Sequence, residues 1–463
     1  MRRSHSNNDG QAMVLFLGFA AAMIGMMLVS FNSGQVTNAK MKAMNAADAA
    51  AYSGAVWEAR SLNFQAYMNR AMVVNEVTIA QSVSLRSWID YLDRFVTNVN
   101  YVTKFIPYAG TVTTAIARGL AEIDSVVQST LPAAERAMRV LNAVEYGAQI
   151  AMNLPAAGIA QNLAAEVAKK NDARITPGGF TLLGRNELRW IEFTKNYGKR
   201  TGPFGADPRT RMREVDLNSR DGFTTARDWK KGLPYVFEIR KQGGTDLLDF
   251  DSWKAVDSAE LRTIWNPFKG KWSTKLPVGW GGAQAYYSRP VNRLGRHGNY
   301  NEWGDLDGRF AQGESNGSNA KSAGMDFQGN RDIVNPRVRD ANLHLPFAIE
   351  VVIDAAAPSG GVATITKGSK PAAVKLTDWS TLDLEPHFVN ATSGTFALAE
   401  ACVRFARPYG AERQDGAREY PSLFNPYWRA ELATESRTAR TIVDVAKRLV
   451  PLSAVVGTTG TCT

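Results

Sequence analysis

The side chains best suited to chemistry are spaced so widely that most catalytic arrangements fail on geometry. The four histidines, His5, His297, His344 and His387, lie far apart, and none stands in the H-E-x-x-H pattern that puts two imidazoles on one helical face. No G-x-S-x-G elbow and no phosphate-cradling P-loop occur. Gly279-Trp280-Gly281-Gly282 reads as a turn, because no helical start follows it. Asp305, Asp307, Gly308 and Glu314 match the third, fifth, sixth and twelfth positions of a calcium loop, but its first position would be Trp303, which has no side-chain oxygen. That segment reads as an Asx-type turn. The close carboxylates Asp249 and Asp251, and Asp378, Asp383 and Glu385, would do acid–base work only if they lined a cleft, and at such spacings they read as solvated loop positions. The expectation is a non-enzymatic protein with no cofactor and no metal site.

Cys402 and Cys462 are the only cysteines and form no C-x-x-C, which excludes zinc ligation and thioredoxin-like exchange. In an oxidising compartment the two are candidates for one disulfide. Sequence leaves open whether their Cα atoms approach closely enough.

The elements that would position such groups begin with an uncharged apolar run, Ala12 to Phe31, behind Arg2 and Arg3. Twenty helical residues at about 1.5 Å each match a hydrocarbon core of roughly 30 Å, so the run predicts a single N-terminal transmembrane helix. The flanking arginines predict a cytoplasmic tip, with the bulk of the chain outside the bacterial inner membrane. Two processed alternatives compete. A signal peptide would have a shorter apolar core and an A-x-A-like site; a prepilin-type leader would be cut after Gly10, although Leu15 stands where prepilins carry glutamate.

Val36 to about Lys170 reads as helical. Small residues Ala39, Ala43, Ala47, Ala50 and Gly54 recur at three- and four-residue spacing, as do Gly18 and Ala22 within the apolar run. Such a strip predicts a face for close helix packing, with Gly18, Ala22, Ala39, Ala43, Ala47 and Gly54 as the interface. Leu85, Trp88, Ile89, Leu92, Phe95, Val96, Val99 and Val102 give the next apolar stripe, with Arg86 and Asp90 away from it. Pro107 and Gly110 break it, and Pro132 separates a third helix from a fourth, so a helical stalk or bundle is expected over 34–172.

Residues 173–233 read as a basic linker region; Arg185 to Lys231 holds twelve basic and seven acidic residues, half of the net charge of +10. Outside the cytoplasm that surplus suits anionic lipid or acidic wall polymer better than nucleic acid. From 234 to 463, short β-branched and aromatic runs (Tyr235 to Arg240, Leu261 to Trp265, Ala283 to Ser288, Phe347 to Ile353, Phe396 to Phe405) predict an aromatic-rich α+β domain with a small antiparallel sheet and a long loop near 291–342. Ala397 to Arg407 reads equally as helix. The anchor, as expected, occupies 1–33.

The segment GQAMVLF, followed by the apolar run and AKMKAMNAADAAAYSGA, resembles the TadG-like and TadE-like proteins of the tight-adherence (Flp) pilus-assembly system. NRAMVVNEVTIAQSVSLRSWIDYL, Asn69 to Leu92, and LFNPYWRAELA, Leu423 to Ala433, resemble segments of related proteins with the same anchor. Many TadG relatives carry a von Willebrand A domain with D-x-S-x-S; VVIDAAAPSG offers Asp354 but has Ala356 and Pro358 where the serines belong. Metal-dependent adhesion is therefore not transferred. The resemblance implies a membrane-anchored envelope scaffold of a Tad/Flp-type pilus or secretion apparatus, with membrane lipid and other pilus-assembly or pilin-like subunits as partners through the N-terminal helix, no nucleic acid, and a homo-oligomer as a further option. The competing readings are a pilin-like filament subunit cut after Gly10, and a membrane-tethered wall-glycan-binding or hydrolase module.

Overall fold

The computed structural model describes residues 9–106, 108–178, 184–198, 215–225, 227, 229–248, 252–286, 289–293, 343–353, 365–367, 370–372, 389–390, 394–408 and 421–433. A single helix organises them. α1 spans Asp9–Thr103 without a proline, a rod of about 140 Å at about 1.5 Å per residue. A turn at 104–108, with Tyr108 at φ 68°, reverses the chain into α2 (Ala109–Asn153). α2 runs antiparallel to α1: Asn100 accepts from Thr113, Asn75 donates to Asn142, and Gln65 donates to Asn153. α3 (Ala156–Asn171) then lies along α1 with Ala156, Ala157, Ala160, Ala164 and Ala168 buried.

Two five-stranded antiparallel sheets pack on different stretches of α1. The first joins β1 (Ile175–Pro177) to β7 (His344–Ile353), β7 to β11 (Gly394–Phe405), and β11 to both β10 (Val389–Asn390) and β12 (Trp428–Leu432). The second is a meander in chain order: β2 (Trp229–Leu233), β3 (Phe237–Leu248), β4 (Ser252–Asn266), β5 (Lys271–Tyr286) and β6 (Arg289–Arg293). A two-stranded pair, β8 (Ile365–Lys367) and β9 (Lys370–Ala372), stands apart from both sheets. α4 (Arg185–Gly198) lies on β7, and α5 (Gly222–Thr225) lies beside β3. β7 is buried almost without alternation, as suits a strand covered by helices on both faces.

The structure corrects the transmembrane expectation. Among the described residues, no helix is long and apolar enough to cross a membrane. The single-pass fold class is therefore replaced by a mixed helix-and-sheet architecture with two small antiparallel sheets.

Three local expectations also change. Pro132 lies inside α2 instead of ending a helix; the helix keeps its course because packing of Leu131 and Met138 on the second sheet holds the flanking turns. Gly279 to Gly282 lie within β5, not in a turn, because the strand crosses α1 there: a Cβ on Gly279 would meet Phe95 and Tyr91, and one on Gly281 would meet the α1 backbone at Ser87 and Tyr91. Residues 397–405, open between helix and strand, are strand. Residues 294–342, which hold most of the expected loop and the Asp305–Glu314 segment, lie outside the described residues, as do Asp249, Asp251, Asp354, Asp378, Asp383 and Glu385.

Candidate functional site: covered and uncovered stretches of helix α1

Small side chains decide where α1 can be approached closely. Ala43, Ala46, Ala47, Ala50, Ala51 and Ala55 are fully buried in one core with the α3 alanines and with Phe347, Ile349 and Val351 of β7. Gly54 lies under the ring of Phe347, where a Cβ would overlap Cε1 and Cζ. Ala39, Ala43, Ala47 and Gly54 are thus brought together in a packing face that this chain covers with its own helix and sheet. Gly18 and Ala22 are not part of that face: they lie on the exposed N-terminal stretch, and nothing approaches a Cβ built on Gly18 within 4 Å. Cys402 is buried on β11 and disulfide-bonded; Cys462 lies outside the described residues.

The two stretches of α1 differ sharply. Met13, Val14, Leu15, Phe16, Leu17, Phe19, Met23, Ile24, Met26 and Met27 are all exposed, and Ala39 is the first described side chain to be buried. A contiguous apolar surface of this extent on a folded chain marks a site that another apolar surface covers.

Beyond Ala55 the buried side of α1 becomes polar, a pattern that amphipathic periodicity does not reveal. Asn63 pairs with the backbone of Trp428 twice, donating to its carbonyl at 2.8 Å and accepting from its N–H at 2.9 Å. Asn69 donates to the Leu423 carbonyl at 2.8 Å and accepts from Gln149 at 2.7 Å. These bonds, with Phe424 packed beside Met72 and Val73, join the two segments singled out in sequence, Asn69 to Leu92 and Leu423 to Ala433. Asn186 of α4 acts on β7 as Asn63 does on β12, donating to the Ala348 carbonyl at 2.8 Å and accepting from its N–H at 3.1 Å.

Three buried charged groups punctuate this side. Burial pushes the Glu58 carboxyl well above its ordinary range, against the pull of Arg189; burial in turn lowers Arg189, which also faces Glu400 at 3.8 Å. Glu76 accepts from Trp253 Nε1 at 2.8 Å and Asn142 at 2.9 Å. Burial still raises it, and Asp216, buried nearby, is raised well above its usual value by burial and by the charge of Glu76. The third group centres on Asp257 of β4, which accepts from Arg227 at 2.8 and 2.9 Å, from Ser87 at 2.6 Å, and from Lys241. Tyr91 lies over the same group, its hydroxyl pushed up to about 12 by burial and by Asp257. Glu76 and Asp257 are interlocks between α1 and the elements around it, each held by side chains of at least two elements, whereas Glu58 Oε2 is buried without a hydrogen-bond partner.

Arg86 and Asp90, expected away from the packed stripe, are both buried, Arg86 against Asp124 of α2 and Asp90 against the Gly282 N–H of β5. The helix is enclosed on its polar side as well, because β5 crosses it. Among the described residues no three His, Cys, Asp or Glu side chains are grouped to hold a metal ion.

Residues 10–57 match the Tad family model, described as "Putative Flp pilus-assembly TadE/G-like". The match covers about a tenth of the 463 residues and lies on the N-terminal part of α1. It takes in both the uncovered apolar stretch and the covered alanine face. No curated protein and no solved structure matches the chain.

Proposed function

We propose that this chain, through the TadE/G-like segment on α1, is a non-enzymatic envelope component of a Flp-type pilus assembly or secretion apparatus, a scaffold that presents a folded body on a helix joined to its partners. The observation that carries this reading is the coincidence of the family match with the N-terminal stretch of α1, Ala12 to Met27, whose large apolar side chains are exposed among the described residues. Helices of other pilus-assembly or pilin-like subunits suit that stretch, because Gly18, Ala22 and Gly25 allow close backbone approach between large apolar neighbours. The alanine face beyond it is occupied within the chain and serves the fold.

The test is a photocrosslinking residue in place of Phe16 or Phe19 in cells that build the pilus, with Lys170 of α3, an exposed residue, as the control position. Phe16 and Phe19 are expected to capture a subunit with its own TadE/G-like or pilin-like helix, and Lys170 is not. Equal capture from all three positions, or none from Phe16 and Phe19, refutes the proposal.

A further inference from the structure

The second sheet carries an exposed end that the assembly reading does not use. β5 climbs α1 toward its C-terminal end: Ala283 and Ala285 pack with Ile79 and Val83, Gly281 lies on Ser87, Gly279 on Tyr91 and Phe95, and the Val278 carbonyl accepts from Asn98 at 3.1 Å. From there β5 continues from Pro277 to Lys271, paired with β4 from Glu260 to Asn266. Seven residues at about 3.3 Å each carry this ribbon about 23 Å past the last crossing. Two turns stand side by side at its tip, 234–236 between β2 and β3, and 267–270 between β4 and β5.

The tip is apolar, aromatic and basic at once. Phe268 is 98% exposed at the apex, and Leu233, Tyr235, Val236 and Ile264 are exposed around it. Behind them Trp265 stacks edge-on with Tyr235 and Trp272, which braces the two turns against each other. Lys230, Lys231 and Lys269 are exposed and have no ion pair among the described residues, whereas the ribbon's carboxylates Glu238 and Glu260 are both held by Arg262. A cleft of about 520 Å³ beside the 234–236 turn is lined by Lys230, Lys231, Leu233, Pro234, Glu238 and Trp272. At the same end of α1, Tyr101, Phe105 and Tyr108 are exposed, and Lys104 lies over the rings of Tyr101 and Phe105.

We infer that this hairpin end docks on the surface of an anionic phospholipid bilayer, the aromatic tips entering the headgroup layer and the lysines meeting lipid phosphates. Large aromatics with a polar edge favour that layer, and lysine stems reach through apolar surroundings to keep their charge in water. Lys230, Lys231 and Lys269, with Arg240 opposite Lys230, carry positive charge without an ion pair among the described residues, while Glu238 and Glu260 are held by Arg262, so the ribbon's surplus complements the phosphates of an anionic headgroup layer.

The test uses the full chain with Phe268→Cys carrying an environment-sensitive thiol dye; no free cysteine competes among the described residues. A dye on Lys170→Cys of α3 serves as the distant control. Vesicles containing an anionic phospholipid are expected to shift the emission at 268 to the blue and leave the dye at 170 unchanged, while vesicles of phosphatidylcholine alone and dissolved glycerophosphate give no shift. Lys230→Gln, Lys231→Gln and Lys269→Gln together should raise the lipid concentration for half-maximal shift by about 100-fold, at roughly fivefold per lysine. The inference is overturned if the dye at 268 ignores vesicles of either composition, if the triple variant responds like the parent chain, or if the shift comes from a purified pilus subunit and not from lipid. A crosslinking failure at Phe16 would leave this result unaffected, so the two proposals fail separately.

Discussion

Gly54→Ala isolates the question of what covers the alanine face. In a helix this change alone gains about 1 kcal/mol through reduced backbone freedom. Against it stands the ring of Phe347, itself fully buried, which the new methyl would overlap at Cε1 and Cζ and approach within 2.9 Å at Cδ1. An overlap of this size needs a shift of the ring well beyond a few tenths of an ångström, so the cost belongs at the upper end of the overpacking range, about 3 kcal/mol. The net expectation is a loss of about 2 kcal/mol. Gly25→Ala, on the same helix with nothing within 4 Å, keeps the gain without the clash, so the two variants should differ by about 3 kcal/mol. Urea unfolding followed by tryptophan fluorescence measures the difference, and Phe347→Leu in the Gly54→Ala background should restore part of it as a favourable coupling. Equal stability of the Gly54→Ala and Gly25→Ala chains would show that β7 does not cover the strip.

Removing the carboxylate in Asp257→Ala strands two buried cations, Arg227 and Lys241, and should cost about 3–5 kcal/mol in urea unfolding, with partial recovery on adding Lys241→Met. Glu58 and Asp216 have folded pKa values raised above their unfolded ones, so their contribution is fully present below about pH 4 and is lost as pH rises through the folded values. Glu58→Gln and Asp216→Asn should therefore be more stable than the parent chain at neutral pH, with a flatter stability–pH curve; a steeper curve in either variant contradicts the assigned direction. Ile264, β-branched and at φ 60°, should gain about 1 kcal/mol on Ile264→Gly, read as a rise in the urea midpoint, if the left-handed conformation is retained.

The strip at Ala39 to Gly54 was legible because small residues at helical spacing leave a mark in the chain itself. Its cover was not: Phe347 stands nearly three hundred residues away and nothing local at Gly54 points to it. The glycines of β5 misled for the same reason, since Gly279 and Gly281 are required by the crossing of α1, whereas a chain read locally sees turn formers. Strand positions such as Phe347 to Ile353 were readable from their β-branched and aromatic content. The length of β4 and β5 was not, because only Leu261 to Trp265 and the end of β5 from Ala283 show such runs, while Ser252 to Glu260 and Lys271 to Gly282 are interrupted by charged, Ser, Pro and Gly residues. The buried carboxylates were hidden most completely: Glu76, Asp216 and Asp257 look like solvated charges until Trp253, Asn142, Arg227 and Lys241 are placed around them.

The unbroken course of α1 has a mechanical consequence. Residues 9–38 overhang the body by about 45 Å at about 1.5 Å per residue, in a helix with neither proline nor turn before Thr103. A pull or torque applied to that overhang has no hinge in which to dissipate, so it arrives as a bending moment at the first gripped turn, Ala39 to Ala47, and is shared at once between α3 and β7. Because the same rod continues under the second sheet, a rotation of the free end turns both sheets together, as a key turns every ward cut on a single shank.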